Sequence, residues 1–437
     1  MLLGTAIAAL KDNWFVIQPS INDTFSQESM DERFLTCDRI LDNTVNVLLP
    51  LFKPIDFKRR TYSVIDVIRS LMYASCNSIS ITQTCNALTN NPSRRDVQHH
   101  ISKLDISWLE SVINRILQTR VKQTTVFQQH RHQQFYHHHN IAIDLTEIPY
   151  HGEPNRKNSS EVRRGMAKSG TTHFFTYASA YVILYGRRFT IAIKYVRAEE
   201  SLVDVVSYLL SEISGLDIKI RYLFLDKGFF TAHIINYLKS INTPFVISAF
   251  PRGRKSGGLS KLIEKRKKNN SFVTNYMMTD SKTDEQCNFK LYVVVKYRKN
   301  RYRKKREGGR QFMFYATNLV TIPVERMFEE YRKRFGIESA YKIMKKSRAR
   351  TSSRSAVLRL LFILISFTIQ NEWIYDKWIY LSKITSGRYG RKYDTKFTYF
   401  LMLQFIRLAL EKIYGIIYSI PIKNTRYVVA TCVGDSG

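Results

Sequence analysis

Between Asn140 and Phe250, short apolar segments follow one another in an order that leaves few folds open. Asn140–Ile143 reads as a strand ending in Asp144. Phe174–Leu184 and Arg188–Val196 are rich in Tyr, Val, Ile, Phe and Thr, and Tyr185-Gly186 between them reads as the turn of a β-hairpin. Ser201–Ile213 has helical spacing, Ile218–Leu225 reads as a strand ending in Asp226, Thr231–Ser240 as a helix and Pro244–Phe250 as a strand. Three strands followed by helix–strand twice predict an α/β chain with a mixed sheet flanked by helices. Ligands in such sheets gather at the carboxyl ends of strands, so Asp144 and Asp226 are candidates for one shared site.

On either side of this block the texture changes. Residues 1–138 read as mostly helical. Ser80–Leu88 and Arg94–Leu104, separated by Thr89-Asn90-Asn91-Pro92-Ser93, fit a helix-turn-helix carrying Arg94, Arg95, Gln98 and His99, and fit an ordinary helical hairpin equally well. Residues 251–310 hold 19 Lys or Arg against 5 Asp or Glu, with Lys265–Lys268 and Arg303–Arg306 as clusters around a strand at Phe289–Lys296. This stretch reads as a basic, β-containing insertion. Phe312–Leu319 reads as a strand, Val324–Ser347 and Ser355–Tyr380 as long helices, and residues 381–437 as a basic, then helical, tail. The organisation expected is therefore 1–138, 139–250, 251–310, 311–380 and 381–437.

A formal net charge of +32 points to a polyanionic partner, most simply nucleic acid. The five cysteines stand singly with no C-x-x-C pair, which argues against a structural zinc site and fits a reducing cytoplasm. The run His137–His139 reads as polar linker and not as a metal site. No signal peptide is expected at Met1–Leu10, and the longest apolar run, Leu360–Phe367, is short of the ~20 residues of a membrane span.

The helical stretch Val324–Ser347 carries Tyr331, Arg334, Glu338 and Lys345, spaced Y-x2-R-x3-E-x6-K. On one continuous helix, seven-residue steps put Tyr331, Glu338 and Lys345 along one face with Arg334 beside them, while Ile337, Ala340, Tyr341 and Met344 form an apolar stripe for the core. An exposed salt-bridged helix would show the same Arg334–Glu338 pair.

This spacing resembles the YREK motif of DDE transposases of the insertion-sequence-four superfamily. Asp144 in Ile141-Ala142-Ile143-Asp144 and Asp226 in Leu225-Asp226-Lys227-Gly228-Phe229-Phe230 resemble the family's first and second catalytic acids. Ala167–Thr172 is similar to its segment after the first acid, and Tyr331–Tyr341 is most similar to the archaeal, haloarchaeal insertion-sequence-three group. The resemblance covers about Asn140 to Tyr375. It implies an RNase H-like catalytic core split by an insertion, with Asp144, Asp226 and Glu338 as catalytic, metal-holding carboxylates; nothing is carried over to the first 130 residues, and 1–138 is expected to be a helical DNA-binding region on its helix-turn-helix pattern alone. It implies further that Tyr331, Arg334, Lys345 and Lys168 contact DNA. Three carboxylates suit Mg²⁺ or Mn²⁺, and two ions suit an in-line phosphodiester displacement. The expected activity is cleavage and strand transfer of double-stranded DNA at the element's own terminal inverted repeats, by a homodimer acting in the cytoplasm on nucleoid DNA. Two alternatives stay open: an RNase H-like nuclease or resolvase without strand transfer, and a non-catalytic DNA-binding protein derived from a transposase.

Overall fold

The computed structural model describes residues 34–56, 61–123, 138–154, 159–184, 187–216, 218–250, 258–259, 262, 270–280, 283–297, 310–319, 321–384, 391–393 and 395–419. The clusters Lys265–Lys268 and Arg303–Arg306, the turn Tyr185-Gly186, His137, Cys432 and residues 1–33 lie outside them.

Among the described residues five α-helices come first: α1 (Cys37–Leu48), α2 (Val64–Cys76), α3 (Ile81–Ala87), α4 (Arg94–Ile101) and α5 (Ile106–Gln123). Ser63 and Asp66 form a capping box on α2, as do Ser80 and Gln83 on α3, satisfying amides that the first turns leave unpaired. The 89–93 segment does break the chain between α3 and α4. Helix α4 buries Val97, His100 and Ile101 and exposes Arg94, Arg95, Gln98 and His99.

Next come β1 (His138–Tyr150), β2 (Arg163–Lys168), β3 (Thr171–Leu184), β4 (Arg187–Val196), α6 (Leu202–Ser214), β5 (Lys219–Leu225), α7 (Ala232–Ser240), β6 (Phe245–Ala249), β7 (Phe272–Thr279), β8 (Gln286–Tyr297) and β9 (Arg310–Thr317). All nine strands share one mixed sheet, in which β1 pairs antiparallel with β3 and parallel with β5, and β5 pairs parallel with β6. The α/β class and the flanked mixed sheet are as the sequence predicts. The hairpin β3–β4 and the order of α6, β5, α7 and β6 are found as well. Two features differ. Strand β1 does not stop at Asp144 but runs on to Tyr150, because β3 supplies partners as far as Tyr150↔His173. Strand β2 is additional. It joins β3 through Ser169 and Gly170, both at positive φ, the geometry of a two-residue hairpin turn.

The strand of the basic stretch, within β8, belongs to this same sheet. Strands β7 and β8 extend it beyond β9, which pairs with β6.

Side-chain alternation fills both faces of the sheet. Ile141, Ile143, Leu223, Leu225, Phe245 and Ile247 pack toward α6 and α7. Ala142, Phe224 and Val246 face the other layer. That layer contains α8 (Val324–Arg332), α9 (Gly336–Lys345), α10 (Ala356–Ile379) and, after the short strands β10 (Ser382–Ile384) and β11 (Arg391–Tyr393), α11 (Tyr399–Tyr414). Helix α11 returns to the N-terminal helices: Tyr414 donates to Asp66 at 2.7 Å and Tyr73 to Glu411 at 3.0 Å.

Strand β4 pairs only with β3, so its outer backbone groups need other partners. Side-chain amides supply them. Asn114 accepts from the Ile193 amide at 2.8 Å, Gln118 donates to the Ile191 carbonyl at 3.2 Å, and Asn371 bonds both the amide and the carbonyl of Thr190. Helices α5 and α10 thus seal a sheet edge. Helix α10 is long and apolar enough to cross a membrane, yet 83% of its most apolar window is buried inside the protein. It is a core helix.

Candidate active site

The parallel β1–β5 ladder ends at Ile143↔Leu225, so the next residue on each strand, Asp144 and Asp226, stands beside the other. Strand β5 stops there and turns into a single 3-10 turn at Lys227–Phe229, while β1 continues. Alternation then aims both carboxylates at the layer that holds α8 and α9.

What meets them is Arg334. Its guanidinium lies across both acids, donating to Asp144 Oδ2 at 3.2 Å and to Asp226 Oδ1 at 3.0 Å. The arginine side chain is only 5% exposed. Burial opposes its charge, but Tyr331, Asp144, Asp226 and Glu338 together hold it above the ordinary arginine value. Burial, with Asp226 adding to it, pushes the Asp144 carboxyl up to about 6 against the pull of Arg334.

The stretch predicted as one helix over Val324–Ser347 is instead α8, a 3-10 turn at Lys333–Phe335, and α9. Each 3-10 residue turns ~120° where an α residue turns ~100°, so three of them advance the later face by ~60°. Glu338 thereby moves from ~20° behind Tyr331 to ~40° ahead of it, while Lys345 stays on Glu338's face of α9, so it is burial and not helix phase that sets Tyr331 apart. Tyr331 is 3% exposed, whereas Glu338 and Lys345 are both exposed. The break also brings Gly336 under Arg188, whose guanidinium carbon would lie 1.5 Å from a Cβ at that position.

The Tyr331 hydroxyl donates to the Leu225 carbonyl at 2.9 Å, and its ring packs edge-on to Phe224. The expectation that Tyr331 touches DNA meets a buried ring whose hydroxyl already holds the strand that carries Asp226. Lys168, at the exposed end of β2, is paired with Glu147 and lies over the Phe174 ring. Tyr341, which the sequence places only in the apolar stripe, has a polar part as well. Its hydroxyl donates to the Asp144 carbonyl at 3.1 Å and bonds Ser179 at 2.7 Å, fastening α9 to β1 at the first acid. A tyrosine among apolar positions was the only signal for it.

Two carboxylates are the right oxygen donors for a hard divalent cation. Glu338 does not join them, and no group of three or more His, Cys, Asp or Glu converges among the described residues. The pair fits a cation; the three-acid centre is not assembled, and a guanidinium supplies positive charge between the two acids.

Two expected results follow from this geometry. Tyr331→Phe removes a buried hydrogen bond and leaves the Leu225 carbonyl short of a donor, lowering stability by about 1–2 kcal/mol. Affinity for duplex DNA should stay within about twofold. A tenfold loss of DNA affinity at unchanged urea midpoint would instead assign Tyr331 to DNA contact. The second concerns Asp144. Because the folded protein holds its proton more tightly than the unfolded chain does, this group's stabilising contribution is complete below the ordinary value of 3.8 and is lost as pH rises through about 6. Asp144→Asn should flatten that part of the stability profile, whatever the separate cost of taking one carboxylate from Arg334. Superimposable urea midpoints of variant and wild type at every pH would overturn the assignment.

The sequence matches the family model of the transposase DDE domain over residues 136–371, more than half of its 437 residues. No curated protein matches it. Among solved structures it is similar to a piggyBac transposase in a synaptic complex with hairpin DNA, at 13% identity and a TM-score of 0.48, over 87% of this chain and 81% of that one.

Proposed function

The chain belongs to the transposase DDE domain family, and from that premise we propose that it cuts and rejoins double-stranded DNA at the terminal inverted repeats of an insertion sequence, using Asp144, Asp226 and Glu338. One observation carries the reading: Asp144 and Asp226 stand side by side where the β1–β5 ladder ends, beneath one buried guanidinium. A strand order of β4-β3-β1-β5-β6, three antiparallel strands continued by two parallel ones, supports an RNase H-like core. The Y-x2-R-x3-E-x6-K spacing supports the insertion-sequence-four branch and, within it, the archaeal group.

Each residue has a task that follows from its setting. Asp144 and Asp226 hold negative charge at a fixed place on rigid strands, and Tyr341 and Tyr331 fix the backbone at those acids. Arg334 is placed to fork onto a phosphate once it leaves the acids. Lys345 offers an exposed point charge further along α9. Lys168 offers another after parting from Glu147. Asp144 and Asp226 would hold Mg²⁺ or Mn²⁺, two ions in this reading, with Glu338 as the third ligand. When bound, the metal supplies charge neutralisation and Lewis acidity. A homodimer pairing two ends is the simplest assembly that joins both to one target. The compartment proposed is the cytoplasm, on nucleoid DNA.

The test is a labelled duplex bearing one end of the element, incubated with the full-length chain, Mg²⁺ and a supercoiled plasmid. Cleaved ends covalently joined to plasmid are expected. Ends cut but never joined would mean a nuclease without strand transfer. Intact duplex under every divalent cation would overturn the catalytic reading.

A further inference from the structure

The C-terminal end of β1 opens on a cavity of about 680 Å³ that also borders the 345–354 connection between α9 and α10. Five cations line it: Lys345, Arg348, Arg350, Arg354 and Arg359. No Asp or Glu lines it, and none of the five makes an ion pair among the described residues. Lys345, Arg350 and Arg354 are exposed and form a rim, while Arg348 and Arg359 are half-buried. We propose that this cavity is a second DNA-backbone site, a phosphate cradle separate from the acid pair; the proposal rests on the transposase reading above.

The distance supports a separate site. Four to six residues of strand separate Asp144 from Ile148, Pro149 and Tyr150 at the cavity wall, ~13–20 Å at ~3.3 Å per residue. Phosphates on one strand of a duplex advance ~3.4 Å along the axis per step, so the cavity lies about four to six steps from the acid pair. The phosphate at the cut cannot occupy both places.

The floor is built in advance of any ligand. Arg359 donates through Nε to the Ser353 carbonyl at 2.8 Å, and its guanidinium lies 4.6 Å from the Phe175 ring centre. Burial lowers the pKa of Arg348 and of Arg359, and Arg359 lowers that of Arg348 further. Half-buried guanidiniums without a counter-charge are unfavourable in the free protein, and an arriving phosphate relieves that repulsion. Helix α10 begins beside the cavity with Ser355 as its cap, so its positive end adds to the same field. A rim of exposed cations above an arginine floor suits a phosphodiester strand running past. A free anion would need only the floor.

The experiment measures binding of the full-length chain to a 40-base-pair duplex of arbitrary sequence between 0.05 and 0.3 M salt. Wild type is compared with Arg350→Gln/Arg354→Gln and with a triple variant that adds Arg348→Gln. The double variant alters only exposed side chains, so folding is not at stake. Each lost phosphate contact removes ~0.9 from the slope of log K against log salt. The double variant should therefore lose about 2 from the slope and bind roughly 50-fold more weakly at 0.1 M salt. The triple variant should lose more. Arg326→Gln, an exposed arginine outside the cavity, should keep the wild-type slope. An unchanged slope in both cavity variants, with wild type binding DNA, would overturn the cradle and leave the transposase reading standing. No DNA binding by wild type would overturn both. Should inorganic phosphate at constant ionic strength raise the wild-type Tm while the cavity variants keep the wild-type slope, the cavity would be a small-anion site and the proposal wrong.

Discussion

Glu338→Gln is expected to leave a folded protein that binds element-end DNA as wild type does and cleaves it at least about 100-fold more slowly, the scale seen when one electrostatic group is removed from a reacting centre. Four glutamates lie near this part of the chain, and the structure separates them. Glu329 is paired with Lys296 and Arg332, and Glu330 with Lys333 at 2.6 Å. Glu325 sits in the first turn of α8, where an acid favours the helix dipole. Glu329 and Glu330 therefore have partners of their own, while the helix dipole does not tell Glu325 from Glu338, which sits in the first turn of α9. Glu338 makes no hydrogen bond or ion pair among the described residues, and it follows by four residues the arginine that lies on both aspartates. Its charge is exposed, so replacing it should change stability by no more than about 0.5 kcal/mol. Glu329→Gln and Glu330→Gln should cut within a few-fold of wild type. Purified, folded Glu338→Gln protein that nicks end DNA at the wild-type rate would remove Glu338 from the site.

How far the sequence reaches can be judged at particular residues. The β3–β4 hairpin and the α6–β5–α7–β6 run were legible because apolar periodicity there is strong and local. The true length of β1 was not. The apolar run stops at Asp144, the polar Thr146 and Glu147 and then Pro149 give no strand signal, and pairing with β3 keeps that backbone extended. The 3-10 break at Lys333–Phe335 was hidden for a related reason. Those residues are adequate helix formers, and what distinguishes the turn is tertiary: Arg334 reaching both acids, and Gly336 lying under Arg188. Asn114, Gln118 and Asn371 look unexceptional inside their helices, since their importance comes from the β4 edge they satisfy. Of the site itself, the two aspartates were visible as paired strand ends. The guanidinium across them was not, because a resemblance that assigns Arg334 to DNA says nothing of where it rests without DNA.

That resting position leads to the second large effect. In Arg334→Ala, two neighbouring carboxylates lose the side-chain cation that bridges them, and Asp144 is buried among apolar strands. Removing one partner of a buried ion pair leaves an uncompensated charge and costs about 3 kcal/mol, with Asp226 discounted because it is 32% exposed. For a chain of this size that is a Tm lower by roughly 4 °C in chelator. If the pair is a cation site that the guanidinium fills in the free protein, a divalent ion should substitute for it. Manganese should then bind the variant more tightly than wild type, since it no longer competes with a tethered arginine. The binding free energy should appear as recovered stability, about 2.7 kcal/mol when the ion stands at 100 times its Kd. Manganese titrated by its electron spin resonance signal, with Tm followed in parallel, reads both effects without any cleavage assay. Arg334→Lys should fall between, because an ammonium cannot fork across two acids as a guanidinium does. Cleavage should be lost in the alanine variant even where manganese binds well, since the group proposed to grip the phosphate is gone. Equal manganese affinity and equal Tm shifts in wild type and Arg334→Ala would mean that the ion does not compete with Arg334, and that the aspartate pair is held by its arginine for structure alone.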